Sequence, residues 1–69
     1  MTARLKFSLA LQKARENLGL TQEKAAEIFK VSARWYQKVE SGKSTPDFDL
    51  LCRLCKFYSI DITTFVEEE

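Results

Sequence analysis

The sequence contains no histidine, one proline, two glycines and two cysteines among 69 residues. A structural zinc site wants four ligands, and a chain without histidine and with two thiols does not supply a Cys/His set. No Gly-x-Ser-x-Gly elbow and no phosphate loop is present, so nothing in the chain assembles a catalytic constellation; no enzyme activity, no metal and no cofactor is expected. No run of about 18 apolar residues occurs, which excludes a membrane-spanning helix. The start Met1-Thr2-Ala3-Arg4 lacks the charged and apolar regions of a secretory signal, so the chain reads as cytoplasmic. Repeats, low-complexity linkers and alternating strand patterns are missing as well.

Charge of one sign is also scarce. The net charge of +1 conceals an acidic end, Glu67-Glu68-Glu69; the rest of the chain carries the eleven basic residues against seven acidic ones. A modest positive excess gathered on one face is enough to steer a domain toward DNA. Cys52 and Cys55 form a C-x-x-C pair. A redox pair places its first cysteine at a helix N-terminus, where the thiol pKa falls. This pair lies inside an apolar-periodic segment and is expected to be two buried core thiols.

What is present is helical punctuation. Residues 1–69 read as one all-α domain, a compact bundle of five short helices over about 3–18, 22–29, 33–41, 47–58 and 62–66. In the first, Phe7, Ala10, Leu11, Ala14 and Leu18 recur at helical spacing, and Gly19 follows where a left-handed residue is wanted. Thr21 and Ser32 are N-cap candidates for the second and third helices, and Val31 with Tyr36 is spaced as a hydrophobic staple. The fourth starts at Thr45-Pro46 or at Asp47, with Phe48, Leu51, Cys52, Leu54, Cys55 and Tyr58 as its inner face. Asp61 caps the last, with Ile60 and Phe65 as a second staple. The aromatic residues Phe7, Phe29, Tyr36, Phe48, Tyr58 and Phe65 suit a small core that needs large side chains. Lys6, Lys13, Lys24 and Lys56 read as solvated helix faces.

The stretch Gln22 to Lys43 holds a two-turn helix, a tight connection at Lys30-Val31-Ser32 and a second helix of similar length, with Ala26 small where they cross. This is helix-turn-helix spacing. The second helix of such a unit enters a major groove about 12 Å wide, with its N-terminal residues at the base edges.

The ordered set Arg15…Leu18-Gly19-Leu20-Thr21-Gln22-Glu23, Ala26, Val31-Ser32, Val39-Glu40-Ser41-Gly42-Lys43, Pro46 and Ile60-Asp61…Phe65 resembles the lambda-repressor-like (Cro/cI, or XRE) helix-turn-helix family over nearly the whole chain. The resemblance implies a five-helix fold, double-stranded DNA as partner, and a homodimeric repressor or other transcription regulator on a palindromic operator. By position it implies Ala33, Arg34, Gln37 and Lys38 as base readers, Gln22, Lys43 and Ser44 as phosphate contacts, and Arg15 with Glu40 as a structural ion pair. Among the readers, Arg34 carries the rigid fork that bonds guanine O6 and N7 together. Lys38 reaches a base or a phosphate, and Ala33 offers only apolar contact to a thymine methyl.

Departures from the family pattern matter. Lys30 and Ser59 stand where glycine is common, at helix ends that favour positive φ, and Lys24 replaces a capping-box glutamate. Trp35 occupies the reading helix where small polar residues are typical; it folds back over the second helix beside Ile28, packs on a DNA strand, or contacts a protein. Leu50 and Phe57, seven apart, form either a dimer or partner patch or a partly buried face. A protein-interaction module or antitoxin-like protein on the same fold, with weak or no DNA binding, is the alternative reading.

Overall fold

The computed structural model describes residues 2–65. Four α-helices and one 3₁₀ turn follow in order: α1 (Ala3–Asn17), α2 (Gln22–Phe29), α3 (Ala33–Glu40), α4 (Phe48–Tyr58) and η1 (Ile62–Phe65). The acidic end Glu67–Glu69, and Val66 at the end of the expected fifth helix, lie outside the described residues.

Each α-helix starts on a side-chain cap. Thr2, Thr21, Ser32 and Asp47 accept from the backbone N–H of Leu5, Lys24, Trp35 and Leu50, three residues on in every case. A side-chain oxygen in this position satisfies one of the donors that a helix start leaves without an intrahelical acceptor. Of the two starts open for α4, the chain uses Asp47. The fifth element is a 3₁₀ helix rather than an α-helix, entered through Asp61, whose carboxylate accepts from the backbone N–H and the hydroxyl of Thr63.

Lys30 and Ser59 adopt left-handed backbone, with φ of 59° and 56°. Each ends a helix where glycine would sit without strain. A non-glycine residue there costs roughly 1–2 kcal/mol. The turns form because packing on both sides holds them: Val31 N–H donates back to Ala26 O, and Ile60 N–H donates back to Cys55 O.

The core comprises Phe7, Leu11, Ala25, Ala26, Phe29, Tyr36, Val39, Leu50, Leu54 and Tyr58. Ala25 and Ala26 are enclosed where α2 packs against α3. Phe29 is the hub: its ring stacks on Tyr36 and meets Tyr58 and Phe57 at angles. The Tyr36 and Tyr58 hydroxyls lie 2.9 Å apart and pair with each other, so two buried polar groups satisfy one another between α3 and α4. Burial, with this bond second, pushes the Tyr36 phenol far above its ordinary range; burial also raises Tyr58.

Four apolar assignments from the sequence are corrected. Leu18 (57% exposed) and Phe48 (77% exposed) lie outside the core, and Cys52 is an exposed free thiol. Leu50 is buried at 7% exposure, so it shares no surface patch with Phe57. The reason is common to the three in α4. Eight of its eleven residues are apolar, so periodicity alone does not choose an inner face. The structure turns Leu50, Leu54 and Tyr58 inward, a stripe at i, i+4 and i+8, and leaves Phe48 and Cys52 outside. Cys55 is half-buried, and burial raises its thiol pKa.

Candidate nucleic-acid interface

Alternation of buried and exposed positions along α3 divides it into two faces. Tyr36, Val39 and Glu40 are buried, while Arg34, Gln37 and Lys38 face solvent, and Ser41 extends the outer stripe by one more turn. The outer positions recur at i, i+3, i+4 and i+7, the spacing of one helix face.

Around this face the fold gathers a shallow, open groove lined by Gln22, Arg34, Gln37, Lys38, Ser41 and Lys43. Two segments distant in sequence meet here, the start of α2 and the turn after α3. The turn is set by Gly42, at φ 81°, where an added Cβ would meet Leu5 Cδ2 at 2.6 Å. The left-handed backbone angle favours glycine, and a side chain here would also push the Leu5 side chain aside. Lys43 and Ser44 N–H both donate to Lys38 O, closing the turn over the end of the helix.

Beneath the groove lies an ionic joint. Arg15 Nε donates to Glu40 Oε2 at 2.7 Å, and the two side chains are 10% and 3% exposed. Arg15 Nη1 donates to Leu20 O, and Gln22 Nε2 donates to Glu40 Oε1 at 3.1 Å. The Glu40 carboxylate therefore ties α1, the first residue of α2 and the last residue of α3, and its partner Arg15 adds the loop before α2. The hydrogen bond to Glu40 raises the Arg15 pKa above its already high ordinary value, so the charge is permanent. The Ser8 hydroxyl, buried in α1, lies 2.9 Å from the carbonyl oxygens of Arg4 and Val39, and its single proton serves either. Together these contacts hold α3 against α1 and fix the angle at which its outer face is presented.

A helix-turn-helix family model matches residues 11–65. The chain belongs to the helix-turn-helix family. This agrees with the lambda-repressor-like resemblance carried by its motifs. The HTH-type transcriptional activator BcrR of Enterococcus faecalis is 37% identical over 65 residues, covering 94% of this chain and 32% of that protein. The chain thus spans about a third of the length of the curated relative it matches. No solved structure matches the chain significantly.

Within the helix-turn-helix, the structure places the residues expected from the sequence as follows. Arg34, Gln37, Lys38, Gln22 and Lys43 share the groove. Ala33 is partly buried against the core and does not line the groove. Ser44 lines a different, apolar cleft of about 260 Å³ with Phe7, Pro46, Leu51 and Phe65. The Gln22 side chain lines the groove and is engaged by Glu40. Trp35 is half-buried against the core and lines a hollow with Phe29, Val31, Asp47, Leu50 and Arg53, on the α4 side rather than beside Ile28. Ser41 and Ser8 are contributors that the sequence reading omits. Ser41 was legible as the next position of the Arg34 stripe, whereas nothing local marks Ser8, whose partner is 31 residues away.

Proposed function

We propose that the chain is the DNA-reading domain of a transcription regulator, with the outer face of α3 in the major groove of a palindromic operator and two copies bound per site. The observation that carries the reading is the groove itself: Arg34, Gln37, Lys38 and Ser41 in a stripe, flanked by Gln22 and Lys43. The stripe supplies what base edges require, a guanidinium fork for guanine O6 and N7 and an amide for adenine N6 and N7. Lys43 and the start of α2 at Gln22 are suited to phosphates on either side, which fix register and carry no sequence information. Arg34 and Lys38 lead the readout, Gln37 supports it, and Ala33 contributes at most a methyl contact.

Occupation of an operator that overlaps a promoter is enough for repression, and the described surface accounts for that mode directly. Activation, which the name of the enterococcal relative states for that protein, needs an additional contact with the transcription machinery. A palindromic operator presents half-sites about one helical turn apart, roughly 34–36 Å, to two domains related by a two-fold axis.

The test is selection of bound duplexes from a random-sequence library. A palindromic consensus whose two halves are one turn apart supports the reading. Failure of any sequence to enrich, together with affinity that does not change with salt, transfers the assignment to a protein-interaction module on the same fold. The exposed Ile28 and Phe57, which line one hollow with Arg53 and Lys56, would then be its first candidate surface.

A further inference from the structure

The outward face of α4 is exposed, and at its edge Asp49 and Lys56 border the open hollows beside Trp35 and Phe57. Phe48 is 77% exposed, the greatest exposure among the large apolar side chains described, and Cys52 one turn later is an exposed free thiol. Asp49 and Lys56 are exposed too, and among the described residues neither has an ion-pair partner. At 3.6 residues per turn, Phe48, Asp49, Cys52 and Lys56 fall within an arc of about 100°, opposite the buried stripe of Leu50, Leu54 and Tyr58. Arg53 is excluded from this face, because its guanidinium lies over the Phe29 ring and donates to Phe29 O.

The pattern is complementary to itself. A two-fold axis repeats one patch on both subunits, so a closed dimer needs a surface that matches its own inverted copy. Phe48 stands four residues before Cys52, and Lys56 four residues after it. If two α4 helices cross antiparallel at Cys52, Phe48 lies along the aliphatic stem of Lys56 of the partner subunit. Asp49 then comes within reach of that same ammonium, and the arrangement occurs twice. A small residue at the crossing point allows close approach. Helix axes packed roughly 8–10 Å apart, less two backbone radii of about 2.3 Å, put facing Cα atoms roughly 3.5–5.5 Å apart. That interval overlaps the roughly 4.4–6.8 Å that a disulfide spans.

We infer that the outer face of α4, centred on Cys52 and flanked by Phe48, Asp49 and Lys56, is the seam on which a second copy of this chain docks antiparallel. The inference deepens the dimeric reading proposed above and is tested without DNA, so its failure is separable from failure of DNA recognition. It replaces the Leu50–Phe57 pair as the dimer surface. The seam is a short helix crossing, smaller than the interfaces of about 1,200–2,000 Å² that hold stable complexes, so the free dimer is weak and paired occupation of an operator consolidates it.

The experiment uses the purified chain in two single-thiol forms, Cys55→Ser and Cys52→Ser, treated with diamide. Diamide takes up the two electrons and two protons released when two thiols join, becoming the hydrazine. The Cys55→Ser protein is expected to cross-link into a covalent dimer at least about tenfold faster than the Cys52→Ser protein. In the Cys55→Ser background, Asp49→Lys or Lys56→Asp alone slows cross-linking and weakens dimerisation in sedimentation by about tenfold, since each turns two attractions into repulsions. The Asp49→Lys/Lys56→Asp double exchange restores both to within about twofold. The inference is overturned if Cys52 and Cys55 cross-link at equal rates, if the double exchange is as weak as the single ones, or if the Cys55→Ser protein shows no self-association at millimolar concentration.

Discussion

Removing the Glu40 carboxylate should take away a large share of this domain's stability. In Glu40→Ala the Arg15 guanidinium keeps its charge and its enclosure, at 10% exposure, but loses the 2.7 Å bond that offsets its desolvation. The Gln22 amide loses its acceptor in the same step. Breaking a buried pair from one side costs about 3–5 kcal/mol. Folded domains hold about 0.05–0.15 kcal/mol per residue, so a chain of 69 residues has roughly 3.5–10 kcal/mol to lose. A loss of about 3 kcal/mol lowers Tm by roughly 12–24 °C in a domain of this size. Urea denaturation followed by helical circular dichroism measures the cost for Glu40→Ala and for the double replacement Arg15→Met/Glu40→Leu. The double variant should recover most of the loss, because no unpaired charge is left behind. A cost below about 1 kcal/mol for Glu40→Ala would refute the reasoning and show that water reaches Arg15 freely.

Three further expectations follow from the fold. Lys30→Gly and Ser59→Gly relieve left-handed strain and should each stabilise by about 0.5–1 kcal/mol after the entropic cost of glycine, read as a shift in the urea midpoint without a change of slope. The chain's two tyrosines are the buried pair, and both phenols are raised, so the protection they give is present below the unfolded tyrosine pKa of about 10 and is lost as pH rises above it. Tyrosinate absorbance should therefore appear together with unfolding; a gradual titration centred near 10 in the folded protein would contradict the buried pair. The Asp61 carboxylate is held below its ordinary value by its bonds to the Thr63 hydroxyl and N–H. The η1 cap should thus persist above the ordinary carboxylate pKa and fade as pH falls through the depressed one, a change visible in the Thr63 amide resonance; an amide that follows an ordinary carboxylate titration would contradict it.

Helix starts were legible because capping is local: Thr21, Ser32 and Asp47 each act three residues ahead. The outer stripe of α3 was equally legible, since Tyr36 and Val39 are three apart on one side while Arg34, Gln37 and Lys38 are polar on the other. The inner face of α4 was not. Leucine, cysteine and phenylalanine surround that helix, and its rotation is decided by the space that Phe29 and Tyr36 leave for Leu50 and Tyr58, a tertiary fact. Leu18 keeps the helical phase, with αR backbone and its N–H on Ala14 O, but it caps the end of α1 and stays 57% exposed there. Trp35 follows its neighbours rather than its own size, settling beside Asp47 and Arg53 once α4 is in place. Contacts that link distant segments, such as Ser8 to Val39 or Arg53 to Phe29, have no sequence signature at all.

If the α3 face reads bases as proposed, Arg34 is the side chain whose loss shows it most directly. The decisive measurement is titration of the library-selected duplex, and of its single-base-pair variants, with wild type and Arg34→Ala at two salt concentrations. The mutant should lose about 1–3 kcal/mol of discrimination at one base pair in each half-site, keep its preferences elsewhere, and retain the salt-weakened binding that phosphate contacts confer. Unchanged discrimination at every position would remove Arg34 as a reader, and binding that ignores both sequence and salt would contradict the nucleic-acid interface itself.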